Sequence, residues 1–162
     1  TLMTFVDRPE LPLIATAVQE ELRQVGIAVK VVVGNSSDIP AGHRSGALQI
    51  GLVARNFGSL PDPVATLADD YGIEGGDWGA MGWHSAPLSD ALARLSNGGV
   101  PAGGAQAARL RASIAAELQQ GLPVIPIVWY RQTMAVSRRV AGASIDPFER
   151  SYRISALTWK AA

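Results

Sequence analysis

A helix that runs straight into a β-branched strand constrains this chain more than any other feature. Leu11, Ile14, Ala15, Val18, Leu22 and Val25 recur at helical spacing and form one apolar stripe over residues 11–25. Pro12 suits the first turn of that helix, where its missing N–H would have no partner anyway, and Gly26 stands where a left-handed cap is wanted. Ile27, Val29, Val31 and Val33 then alternate as a strand. With Leu2 to Val6 as a preceding strand, the start of the chain reads as a parallel βαβ unit with a right-handed crossover.

The rest continues in the same α/β manner. Residues 35–45 are polar and contain glycine, a loop with a short helix, and Ala47 to Arg55 reads as a third strand buried on both faces. Asp62 opens a short helix, its carboxylate capping free N–H groups. A glycine-rich loop over residues 72–85 follows, then helices at Pro87 to Leu95 and Ala105 to Gln120. In the second, Ala107, Leu110, Ile114 and Leu118 share a face, and Gly121 ends it. Val124 to Tyr130 and Thr133 to Ser137 read as strands, the first demoted to an edge by Pro126, with Trp129 in the core. No repeat and no linker interrupts the chain.

At 162 residues this is one domain able to bury a core. Fourteen basic and fourteen acidic residues balance, which argues against a nucleic-acid footprint. No apolar run reaches the ~18 residues of a membrane span. The absence of cysteine excludes disulfides and thiolate metal sites.

Enzyme chemistry finds little support. The two histidines, His43 and His84, lack the spacing of a ligand pair, and no G-x-S-x-G, H-E-x-x-H or P-loop occurs. Ser85 beside His84 is the sole local nucleophile for a small hydrolase, but adjacency in sequence is not triad geometry. Asp69 and Asp70 are neighbours and would diverge on a helix, so they read as solvated charges. Trp78 and Trp83 either wall a ligand cleft or plug the core of the domain itself. Arg55 is either a carboxylate or phosphate clamp or, the commoner case, a strand-end surface charge. No cofactor or metal site is expected.

Four stretches in order carry a family resemblance. The run from Pro9 to Val31 is similar to "P-E-L-P-x-I-A-x-A-h-Q-x-x-L-x-x-h-G-I-x-V-x-h", where h is apolar. Ser45 to Pro63 resembles a strand leading to an aromatic-Gly and a D-P pair, here Asp62-Pro63. Trp83 to Leu92 resembles "Y-x-N-P-x-x-D-x-L", and Gly121 to Tyr130 resembles "x-x-P-x-I-P-L". Together they resemble the second lobe of the peptide/nickel class of extracytoplasmic solute-binding proteins, which deliver cargo to ABC importers.

The resemblance implies an α/β fold: a periplasmic-binding-protein-like second lobe with a mixed sheet, a βαβ start and flanking helices. It implies that residues 1–144 are that lobe and residues 145–162 a tail returning toward a first lobe, the chain being a fragment of a longer protein. The implied function is capture of a peptide-, nickel- or opine-type cargo in a two-lobe cleft, without catalysis. Its partners would be the cargo, the first lobe and a membrane permease, in the periplasm or, if lipid-anchored, at the outer face of the membrane. A ligand-sensing interaction domain of the same fold is the alternative.

The implied ligand-binding set is Arg55, Asn56, Phe57, Ser59, Trp78, Trp83, His84, Tyr130 and Arg131. Peptide-binding members have, three residues before the D-P pair, an Asp that captures the peptide amino terminus; here Ser59 stands there and forfeits the charge-assisted bond. Nickel-type members have an aromatic where Phe57 stands and a Tyr where Pro61 stands, and use a loop His that His84 would match as a metal-chelate ligand. Tyr130 and Arg131 end a strand that in the family runs toward the cleft.

Overall fold

The computed structural model describes residues 1–55, 62–72, 76, 78, 81–147 and 151–160. The helix-strand signal at the start is realised as β1 (Leu2–Phe5), α1 (Glu10–Gln24) and β2 (Val31–Gly34). There follow α2 (Asp38–Ser45), β3 (Ile50–Gly51), α3 (Val64–Tyr71), α4 (Ala86–Ser96), α5 (Ala105–Gly121), β4 (Val140–Ala141) and β5 (Thr158–Trp159).

β1 is the central strand of a parallel sheet in the order β2-β1-β3, with Leu2 opposite both Val31 and Ile50. β4 and β5 form a separate antiparallel pair. The fold is thus mixed α/β with a βαβ start, as the sequence predicts.

Two apolar clusters fill it. In the first, Leu2 and Phe5 of β1 pack with Leu11 and Ala15 of α1, Ile39 of α2 and Leu52. The second is helical: Val64 and Tyr71 of α3, Leu88, Ala91 and Leu92 of α4, and Ile114 of α5. Complete burial of a leucine such as Leu11 or Leu88 contributes about 1.5–3 kcal/mol. Thr4 is fully buried in the sheet, and its hydroxyl donates to the Leu52 carbonyl at 2.9 Å, which satisfies it.

Where the elements differ from expectation, pairing explains the difference. β2 starts at Val31, not Ile27, because the register opens at Leu2, whose amide donates to the Lys30 carbonyl, and leaves residues 27–29 nothing on β1 to pair with. The Ile27 amide instead donates to Leu22 in the turn that closes α1, and Gln19 takes the Val29 carbonyl. Val25 lies past the helix end and is 71% exposed, so it drops out of the buried stripe. β3 keeps only two ladder residues; it is an edge strand, and Ile50 faces outward, so burial on both faces does not occur.

Val124–Tyr130 and Thr133–Ser137 are not strands. Among the described residues nothing pairs with them, and Pro123 and Pro126 remove ladder donors. Trp129, expected in the core, is 84% exposed.

The helical half follows its sequence signals closely. Ser85 caps α4, its hydroxyl accepting the Leu88 amide, with Pro87 in the first turn. Asp62 accepts the Val64 amide at the start of α3 and pairs with Arg111 of α5. Gly121 is the last residue of α5, and Leu122, not the glycine, takes the left-handed conformation at φ +42°. The glycine is required for a different reason: a Cβ there would lie 2.4 Å from Cζ2 of Trp83.

Candidate functional site

In parallel α/β sheets, ligands meet the carboxyl ends of the strands, where loops diverge and helix N-termini point. Here that edge is formed where β1 ends at Phe5, β2 at Gly34 and β3 at Gly51. Three of the sequence-nominated residues lie on segments next to it.

Trp78 meets Phe5 edge to face, with ring centroids 6.1 Å apart and planes at 79°. The indole is half-buried against the sheet-side core, so the ring plugs that core and keeps part of its surface open at the edge.

Arg55 lies four residues past β3 and reaches α3. Its Nε donates to Oδ2 of Asp70 at 3.2 Å and its terminal nitrogen to Oδ1 at 2.5 Å, a two-pronged pair. The Asp70 side chain is only 2% exposed and that of Arg55 28%. The reading of Asp70 as a solvated charge is therefore corrected: it follows Leu67 by three residues on the buried side of α3, and a carboxylate there must be paired. Arg55, likewise, is a strut between the two apolar clusters rather than a free surface charge.

Tyr130 comes near the N-terminus of α1, where its hydroxyl and the Glu10 carboxylate influence each other's titration. The backbone amide of Glu10 is the main cause holding that carboxyl below its ordinary range; Tyr130 and then Arg8 add to it. Partial burial, followed by the Glu10 bond and charge, raises the Tyr130 hydroxyl. Arg131 beside it is exposed.

The other nominated residues divide. Trp83 packs into the helical cluster over Gly121 and serves the core, not the sheet edge. His84 is exposed in a shallow groove of about 540 Å³ along α4, lined by Ser85, Ala86, Ser89, Asp90 and Ala93. Ser85 donates its hydroxyl proton to Glu117 at 2.8 Å while capping α4, so the nucleophile that a hydrolase would need is engaged as a structural group. Asn56, Phe57 and Ser59 lie outside the described residues. Among the described residues, no group of three or more His, Asp or Glu side chains could hold a metal ion.

Sequence reasoning missed Phe5 and Glu10 and misread Asp70 as a solvated charge. Of these only Asp70 had a readable signal, its place beside the apolar face of α3 formed by Val64, Leu67 and Tyr71.

No model of a known protein family matches the chain, and no curated protein matches it. Solved structures do. One is a chain described as the nickel ABC transporter from Bacillus halodurans, with a TM-score of 0.61 and 20% identity, covering 76% of this chain. The match takes in 25% of that neighbour, so this chain spans about a quarter of its length. At this identity the likeness is one of fold: the mixed α/β architecture is shared with part of that chain.

Proposed function

We propose that this chain is one wall of the cargo cleft of an extracytoplasmic solute-binding protein serving an ABC importer. The observation that supports the reading is that Trp78 packs on Phe5 at the end of β1, Arg55 follows β3, and Tyr130 comes near Glu10 at the start of α1, each next to the carboxyl edge of the parallel sheet. An aromatic face, an arginine already paired with Asp70 and a tyrosine hydroxyl offer a small cargo stacking and hydrogen bonds within one wall. The fold shared with the nickel transporter chain supports the same reading. Asn56, Phe57 and Ser59 follow Arg55 in the sequence and belong to the proposed ligand-binding set.

The cargo is of the peptide, nickel-chelate or opine type. Ser59 in place of an acid disfavours a peptide held by its free amino terminus. Residues 1–144 form the lobe, and residues 145–162 run toward a second lobe that supplies the other wall. Capture is by closure of the two lobes, followed by docking on the permease, at the periplasmic or outer membrane face. Among the described residues no helix is long and apolar enough to cross a membrane.

Calorimetry on a protein carrying both lobes tests the wall. Arg55→Lys, which keeps the charge beside Asp70 but loses the fork, and Tyr130→Phe should each weaken cargo binding by roughly tenfold. His84→Ala should leave it unchanged; loss of binding in His84→Ala alone would move the site to the α4 groove.

A further inference from the structure

The charge balance of the whole chain conceals a division. Residues 1–121 carry eight basic and twelve acidic side chains, a net charge of −4. Residues 122–160 carry six basic and two acidic ones, a net charge of +4. The basic part is also the more exposed one: although Asp146 is buried and β4 pairs with β5, residues 124–130 and 151–160 are all exposed, with Ile125 at 77%, Trp129 at 84%, Tyr152 at 82% and Trp159 at 77%.

This surface has the composition of a protein interface. Four of its five described cations, Arg131, Arg138, Arg139 and Arg153, are arginine, the fifth being Lys160, and exposed Trp and Tyr lie among them. Arg139 lies over the Trp159 ring, 5.8 Å from its centroid, so cation and aromatic present one joint surface. The arm leaves the body at Leu122, a non-glycine residue in the left-handed conformation and followed by Pro123, and strained junctions of this kind favour exchange of segments between copies.

We propose that residues 122–160 are an arm that binds a second copy of this chain, its basic aromatic surface laid on the acidic body of the other copy. The complementary charges are both present in this sequence, and two reciprocal arms close a twofold dimer with no surface left to propagate. The proposal does not depend on the transport reading. Where another lobe meets the far end of the arm, that lobe competes with the second copy for it.

Size-exclusion chromatography with light scattering on the 162-residue chain tests it. From about 10 µM to about 500 µM at low salt, a concentration-dependent dimer is expected. Raising salt to about 0.5 M should weaken it, because the joining charges are exposed and screened. Trp129→Ser and Arg138→Glu, both at exposed positions, should each raise the dimer Kd roughly tenfold with unchanged circular dichroism. A monomer throughout that range would overturn the proposal, as would a dimer indifferent to salt and to both substitutions. Monomers that pellet with phosphatidylglycerol vesicles would overturn it too and assign the arm to an anionic membrane surface.

Discussion

Asp70 and Arg55 show how one buried carboxylate organises its surroundings. Taking a carboxylate to 2% exposure is costly unless a partner neutralises it, and the arginine fork does so from the other cluster. Arg55→Ala should therefore cost about 3 kcal/mol in urea unfolding, since it strands a buried charge. The double change Arg55→Leu with Asp70→Leu should recover most of that loss; failure to recover would mean that the pair itself, not the stranded charge, holds the fold. Gly121 is a second single-residue constraint. Gly121→Ala puts a methyl into the Trp83 ring and should cost about 1–3 kcal/mol, with a change in near-ultraviolet dichroism as the indole moves. An unchanged tryptophan signal would show that the ring has room to spare.

At the scale of elements, burial sorts the apolar stripe of α1 more finely than its periodicity does. Leu11 and Ala15 are buried, whereas Leu22 is only half-buried near the frayed end. Leu11→Ala should cost about 2–5 kcal/mol. Leu22→Ala should cost closer to 1 kcal/mol, about what a half-buried side chain contributes. Equal losses in chemical denaturation would mean that the helix is docked along its whole length. Between α3 and α5, the Arg111 guanidinium holds the Asp62 carboxyl below its ordinary value, its first cause, with the Val64 amide adding to it. A carboxyl lowered in the folded state stabilises above its unfolded pKa of about 4 and loses that contribution as pH falls through the folded value. Both side chains are more than a third exposed, so the pair is worth less than about 1 kcal/mol. Arg111→Gln should show its small cost in melts at pH 7 and lose it as pH falls through the lowered value of the Asp62 carboxyl. A cost that persists in acid would place its origin in the Arg111 bond to the Ala102 carbonyl instead.

Over the whole molecule, what was legible in the sequence was what a helix or a short parallel unit carries within itself. The stripes of α1 and α5, the Ser85 and Pro87 start of α4 and the βαβ opening depend on local spacing, and the fold agrees with them. Residues 124–137 looked like strands because they are apolar and β-branched, yet a strand exists only against a partner, and the sequence of one strand does not show whether a partner is there. The site divides in the same way. Arg55 was legible at the end of a strand and Trp78 as an aromatic in the glycine-rich loop, whereas Tyr130 was nominated as the end of a strand that does not form. The fate of Trp83 was set by the notch at Gly121, thirty-eight residues away, which no local pattern reveals.

The most direct test of the central claim is nuclear magnetic resonance mapping on the 162-residue chain, titrated with a dipeptide and with a nickel–histidine chelate. One wall of a shared cleft binds weakly, so exchange in the millimolar range, near −4 kcal/mol, is expected. The perturbed signals should be those of Arg55, Trp78 and Tyr130, with His84, Ser89 and Asp90 unmoved. Shifts confined to the α4 groove around His84, no shift at the sheet edge with either probe, or saturation at micromolar concentration would contradict the account.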